Sequence, residues 1–315
     1  METIGIIGAG LIGRAWAIVF ARAGFNVKMW DLAPAATAAA RGFIAARLPE
    51  LREAGLLVDP PEVVLARIRP CDTLAEAVTG VVHVQENGPE RIPEKTALFA
   101  EMDRLAAPDV VLASSTSGIP ASAFTETLPG RARTLVAHPV NPPYLIPVVE
   151  LCPAPWTDPA IVARTRTLME RAGQVPATVN REITGFVLNR LQVALVSEAM
   201  RLVADGVISA ADVDATVKHG LGLRWSFMGP LETIDLNAPG GLADYLARYG
   251  GLYAKVQDET RPLALTDTLI ADLHAARRAE LPMEQQAARQ EWRDRRLMGL
   301  LAHKAGRGNA GQDNG

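Results

Sequence analysis

An imidazole and a carboxylate twelve residues apart, His138 and Glu150, are the pair in this chain best spaced to move a proton. His138 follows the apolar, strand-like run Leu135-Val136-Ala137, and Glu150 closes a second run that includes Val148 and Val149. Between them stand Pro139, Pro142, Pro143 and Pro147. Proline removes a backbone donor and restricts the residue before it, so a rigid extended loop joining two strand ends is expected there, not a helix. Such a loop would hold a base beside the group that orients it. A lone histidine among prolines is more often a packed residue, so the rest of the chain must supply the case for chemistry.

The N-terminus supplies a second chemical element. Thr3-Ile4-Gly5-Ile6-Ile7 reads as a buried parallel strand and leads directly into Gly8-Ala9-Gly10-Leu11-Ile12-Gly13. A helical pattern with Trp16, Val19 and Phe20 on one face ends near Gly24, and Asn26 to Trp30 forms a second strand candidate that stops at Asp31. Each part has a task in dinucleotide binding. Gly8 permits a tight turn, Gly10 lets the backbone approach a pyrophosphate, and Gly13 lets the helix pack close. The helix start, with Leu11 and Ile12, offers free N–H groups to the phosphates. Asp31 would accept hydrogen bonds from the ribose hydroxyls, and no Arg or Lys follows it before Arg41, which favours NAD over NADP.

These residues need elements to position them. Pro34 to Ala77 is Ala-rich and predicts two helices joined by a turn. The arginines in it (Arg41, Arg47, Arg52, Arg67 and Arg69) read as solvated helix faces. A strand at Gly80 to Val84 runs into Gln85-Glu86-Asn87, where Glu86 is a further candidate cofactor contact, and a helix from Pro93 to Ala106 follows. The strand Val110 to Ala113 ends in Ser114-Ser115-Thr116-Ser117. Alternating strands and helices predict an α/β fold with a doubly wound parallel sheet, in which ligands bind off the strand C-termini. A helix over Thr157 to Ala172 and a strand over Gln174 to Val179 complete this part, a Rossmann-type domain over 1–182.

From 183 to 303 the pattern is helical, as in an all-α domain. Gly185-Phe186-Val187-Leu188-Asn189 opens a helix, and Gly220 to Thr233 breaks the helical rhythm. Apolar stripes beyond the needs of one small domain suggest a homodimer through this half. Residues 304–315, rich in Gly and Asn, are expected to be disordered. With 315 residues, 49% hydrophobic, 21% charged and a net charge of -3, nothing recruits nucleic acid or an anionic membrane surface. No apolar run has the length of a membrane span. The two distant cysteines, Cys71 and Cys152, fit no metal-binding or redox spacing and suggest a reducing, cytoplasmic setting.

Taken together, the glycine turn with Asp31, the Ser/Thr cluster, Ala137-His138-Pro139-Val140-Asn141-Pro142 with Glu150, and Gly185 to Arg190 resemble the L-3-hydroxyacyl-CoA dehydrogenase superfamily. The finer likeness is to its lambda-crystallin branch, which includes L-gulonate 3-dehydrogenase. The resemblance covers 1–303 and implies a Rossmann domain followed by a helical domain that supports dimerisation. It implies a catalytic dyad at His138 and Glu150, with Ser117 and Asn189 contacting the reacting oxygen, and NAD-linked oxidation of the 3-hydroxyl of a small L-3-hydroxy acid. One departure bears on substrate: where members acting on CoA thioesters have a Tyr-Pro-Met-Gly-Pro type of turn, this chain has Leu223-Arg224-Trp225-Ser226-Phe227-Met228-Gly229-Pro230. Arg224 is a candidate clamp for a free carboxylate, and Trp225 beside it suits a quaternary ammonium, as in carnitine dehydrogenases. A 3-hydroxyacyl-CoA substrate and a purely structural role are the other readings.

Overall fold

The computed structural model of the protein describes residues 1–308. In the first part the short β-branched runs become β1 (Thr3–Ile7) and β2 (Asn26–Trp30), with α1 (Leu11–Arg22) between them. Next come α2 (Pro34–Glu53), α3 (Pro61–Ala66), β3 (Ile68–Pro70), α4 (Leu74–Val78), β4 (His83–Glu86) and α5 (Ile92–Leu105). After β5 (Val111–Ser114) and α6 (Ser122–Thr125), the strands β6 (Thr134–Pro139) and β7 (Val148–Pro153) are followed by α7 (Pro159–Arg171) and β8 (Val175–Thr178). They form one sheet in the order β3-β2-β1-β4-β5-β6-β7-β8.

Every neighbouring pair is parallel except β6 and β7, which run antiparallel. The reason lies in the connection. Parallel strands need a crossover of a dozen or more residues, and the proline-rich link between Pro139 and Val148 is too short for one. The Rossmann-type sheet expected from sequence is therefore present, with a reversed pair at one edge. β3 departs from the expected pair of helices over Pro34 to Ala77. It lies at the sheet's other edge, where Pro70 costs no ladder bond, and it is too short to carry a strand pattern. The nearby arginines tie loops together: Arg41 donates to the carbonyl of Ile68 and Arg67 to that of Ala21.

Both faces of the sheet are covered, as the continuous apolar strands require. Trp16, Ile18 and Phe20 of α1 pack on one face, with Trp16 and Phe20 stacked at 5.4 Å. Phe99, Met102 and Phe124 fill the other.

The described residues divide into two units, one made of Met1–Arg190 with the segment from Glu291, the other of Leu191–Gln290. The change of domain expected at 182–183 falls earlier than this division, because the start of α8 (Leu188–Ala204) is tied to the sheet. The second unit continues α8 and adds α9 (Ala210–Thr216), a π-helical turn (Val217–Leu221), α10 (Gly222–Trp225), α11 (Pro230–Asp235), α12 (Gly241–Glu259) and α13 (Asp267–Glu280). The π-turn explains why the rhythm breaks at Gly220. The last helix, α14 (Gln286–Gly308), was expected to belong to the helical domain, yet from Glu291 it joins the first unit. There Met298 is buried in the core and Asp294 faces the Tyr144 hydroxyl at 3.3 Å. The expected disordered tail from 304 is helical to Gly308; the remainder of that expectation lies outside the described residues. No helix among the described residues is long and apolar enough to cross a membrane.

Candidate active site

His138 stands at the C-terminal end of β6, one residue before its last, as expected, whereas Glu150 lies inside β7 and not at its end, and the antiparallel register sets the two directly opposite one another. Their side chains meet at 2.8 Å between His138 Nδ1 and Glu150 Oε2, with 5% and 2% of the two residues exposed. The other carboxylate oxygen, Oε1, accepts the backbone N–H groups of Val187 and Leu188, each at 2.8 Å. These are donors that a helix start leaves unpaired, so Glu150 fastens α8 to the sheet while it holds the histidine. The turn that aims these donors at Glu150 contains Gly185 at φ +74° and Phe186 at φ +50°. Left-handed backbone at a non-glycine residue costs about 1–3 kcal/mol. Full burial of Phe186, its ring 5.5 Å from that of His138, offsets the cost.

Burial pushes the Glu150 carboxyl up, but the hydrogen bonds from His138, Leu188 N and Val187 N outweigh it and hold the group below the usual carboxylate range. Glu150 is therefore ionised at neutral pH and can only accept. It follows that His138 carries its hydrogen on Nδ1 and keeps a lone pair on Nε2, the tautomer a general base requires.

Ser117 and Asn189 also come together. The Asn189 amide, in the first turn of α8, donates to the Ser117 carbonyl at 2.7 Å. The Ser117 N–H is held from the other side by Glu90 Oε1 at 2.7 Å, whose second oxygen accepts the Thr116 hydroxyl at 2.6 Å. Nothing in the sequence singles out Glu90. An acid just before a helix reads as a dipole-complementing surface charge, and only the approach of the loop after β5 gives it this task. Ser117, Asn189, Glu150 and His138 thus gather where β5, β6 and β7 meet the start of α8.

At the glycine turn the three positions differ in what they exclude. A Cβ on Gly13 would lie 1.8 Å from the Gly8 carbonyl oxygen, and one on Gly8, at φ +89°, would lie 2.8 Å from that of Asn87. Both glycines are required by the protein's own packing. A Cβ on Gly10 would meet nothing within 4 Å, so the space in front of this residue is open, as a backbone that receives a pyrophosphate needs. Leu11 and Ile12 form the first residues of α1 behind it. Asp31, just past β2, accepts Ala9 N at 2.7 Å and Ala33 N at 2.9 Å through different oxygens, each retaining a lone pair. A cavity of about 440 Å³ opens beside it, lined by Gly8, Trp30, Leu32 and Leu98. This turn, acid and cavity fit a dinucleotide. Glu86 lines the same cavity, but its carboxylate is occupied by Lys95 at 3.0 Å, by the Ser114 hydroxyl at 2.6 Å and by Gly88 N. Arg224 and Trp225 lie in α10 of the second unit, both exposed. No ion pair engages Arg224 among the described residues.

Residues 3–183 match the 3-hydroxyacyl-CoA dehydrogenase NAD binding domain, and residues 185–299 match the 3-hydroxyacyl-CoA dehydrogenase C-terminal domain. The chain is 44% identical to the lambda-crystallin homolog of Bos taurus over 306 residues, covering 96% of this chain and 95% of that protein. It is 40% identical to L-carnitine dehydrogenase of Streptomyces coelicolor over 251 residues, covering 79% of this chain and 78% of that enzyme. Among solved structures, it is similar to 5-formyl-3-hydroxy-2-methylpyridine 4-carboxylic acid 5-dehydrogenase, an NAD+ dependent dismutase, with a TM-score of 0.83 and 28% identity over 99% of this chain and all of that one.

Proposed function

The chain belongs to the 3-hydroxyacyl-CoA dehydrogenase family and is an NAD-dependent hydroxy acid dehydrogenase, and on that premise we propose that its substrate is a small L-3-hydroxy acid with a free carboxylate, L-gulonate-like, and not a CoA thioester. The observation that carries the chemistry is the contact between His138 Nδ1 and an ionised Glu150, which turns Nε2 into a base. The Gly8 to Gly13 turn and Asp31 would hold NAD, which supplies the hydride acceptor for the carbinol carbon. His138 Nε2 takes the hydroxyl proton, and Glu150 stabilises the imidazolium that results. The Ser117 hydroxyl and the Asn189 amide hold the alcohol oxygen in line with His138.

The free-acid reading is supported by the likeness to L-carnitine dehydrogenase, since carnitine is itself a free 3-hydroxy acid, and by the sequence at Arg224, a guanidinium in no ion pair among the described residues and of the type that binds a carboxylate through two hydrogen bonds. L-carnitine is the second candidate, because Trp225 stands next to Arg224 and an aromatic face suits a quaternary ammonium. Following NADH formation with L-gulonate, L-carnitine, 3-hydroxybutyrate and 3-hydroxybutyryl-CoA tests the proposal. A free acid should show the highest kcat/KM; clear preference for the thioester would overturn the reading.

A second copy of the chain is the proposed partner, its contact surface lying on the second unit. A cytoplasmic location is the reading that the two buried free thiols, Cys71 and Cys152, support.

A further inference from the structure

The link between Pro139 and Val148 joins the strand that carries His138 to the strand that carries Glu150, yet it has little of its own to hold its shape. Pro142, Pro143 and Pro147 have no N–H to give. Within the link, Leu145 N and Ile146 N both donate to the Pro142 carbonyl, which makes a single local turn. The bonds that fix the link to the rest of the protein must come largely from side chains.

Tyr144, in the middle of the link, is 2% exposed and is gripped at both its ends. Arg22, in the last turn of α1, donates Nη1 to the Tyr144 carbonyl at 2.8 Å, a charge-assisted bond. At the other end the hydroxyl meets Asp294 Oδ2 of α14 at 3.3 Å. Burial, and after it the Asp294 charge, push the phenol up to about 12 against the opposite pull of Arg47 and Arg14, so the hydroxyl keeps its proton and is the donor. Asp294 is itself buried and oriented: its Oδ1 accepts Nε and Nη2 of Arg293 at 2.9 and 2.7 Å. Both α1 and this part of α14 belong to the same unit as the link. One side chain thus ties together the helix that starts at the glycine turn, the link of the proton-moving pair, and the last helix of the described residues.

We propose that Tyr144 is a positioning residue for the His138–Glu150 pair, and that Asp294, 150 residues further along the chain, acts through it to complete the active site. Loosening Tyr144 frees the link, and with it the end of β6. There His138 stands one residue before the last of the strand, and that last residue, Pro139, has no N–H to give the ladder. Since a misplacement of about 1 Å can cost roughly 10²-fold in rate, such slack is enough to matter for a proton transfer. The inference rests on the reading of His138 and Glu150 as the working pair, and it is independent of which acid is oxidised.

The test reads the pair itself, by proton NMR of the NADH-bound enzyme. A proton on His138 Nδ1, 2.8 Å from an ionised carboxylate, should give a signal far downfield, identified by its loss in His138→Gln. In Tyr144→Phe, which removes only the hydroxyl, exchange of this proton with water should speed up about tenfold, the worth of one hydrogen bond to a charged group. Asp294→Leu should do the same, and the two changes together should do no more than either alone, because they cut one bond. Asp294→Asn keeps an acceptor for the phenol and should restore the wild-type rate. A contact that only adds stability would lower the melting temperature and leave the signal as it is. Unchanged exchange in Tyr144→Phe, or additive effects in the double variant, would overturn the proposal. A wild-type enzyme without the downfield signal would overturn the pairing of His138 with Glu150, and this proposal with it.

Discussion

Which atoms of a side chain are already bonded decides what that side chain can still do. In His138, Nδ1 is committed to Glu150, so removing the imidazole should abolish proton transfer without touching the cofactor turn. His138→Ala is expected to lower kcat by about 10²- to 10⁴-fold while NADH fluorescence titration gives an unchanged Kd. Near-normal turnover would remove His138 from the mechanism. The pair is legible in the sequence because two strand-like runs joined by a proline-rich link bring their residues into register, although Glu150, expected at a strand end, lies in a strand interior. Glu90 was not legible, since nothing local distinguishes an acid that grips a loop from one facing water. His83 makes a prediction about pH. Its folded pKa of about 4 lies below the ordinary 6.5, so as pH falls the unfolded chain takes up a proton first and stability drops between those two values. From pH 7 to pH 5 this amounts to roughly 2 kcal/mol. Urea unfolding of wild type and His83→Gln at both pH values should show the smaller pH effect in the variant by about that amount, and equal pH effects would mean that His83 is not held neutral.

At the scale of elements, the glycine turn separates what the fold needs from what the cofactor needs. Gly13→Ala would drive a methyl into the Gly8 carbonyl and force α1 away from β1, so both stability and NAD affinity should fall, the former by about 1–3 kcal/mol as overpacking does. Gly10→Ala meets no protein atom, and its φ of -67° is open to alanine. Its thermal unfolding should match wild type while NAD binding weakens; a stability loss at Gly10, or intact NAD affinity, would show that the open space does not receive the cofactor. This element was read from sequence because spacing alone carries it: strand, turn, helix and acid occupy a fixed number of residues. β3 and the reversal of β7 were not, because three residues with a proline at a sheet edge have no periodicity, and strand direction depends on the length of the link before it.

Over the whole molecule, burial is unevenly shared. The first unit has a core on each face of its sheet, whereas in Leu191–Gln290 only Arg201, Thr233 and Leu269 are buried. Two long helices there expose their apolar residues: Leu191 and Val193 on α8, and Leu246, Tyr249, Leu252, Tyr253 and Val256 on α12. A monomer seldom leaves a helix face as apolar as that of α12 uncovered, whereas a lasting interface between copies is built from such faces. The amphipathic stripes were visible in the sequence, but the division at Arg190 and the return of α14 to the first unit were not, since both depend on contacts between residues far apart in the chain. Light scattering coupled to gel filtration should therefore give about twice the 33.7 kDa of one chain. The double variant Leu252→Asp, Val256→Asp places two charges one helical turn apart on α12. On a lone chain these positions are exposed and the charges cost little; in an interface they would be buried without partners, at several kcal/mol. The variant should elute as a monomer with the far-ultraviolet circular dichroism of wild type, and a mass that does not change, or a wild type that is already monomeric, would refute the dimer through this face.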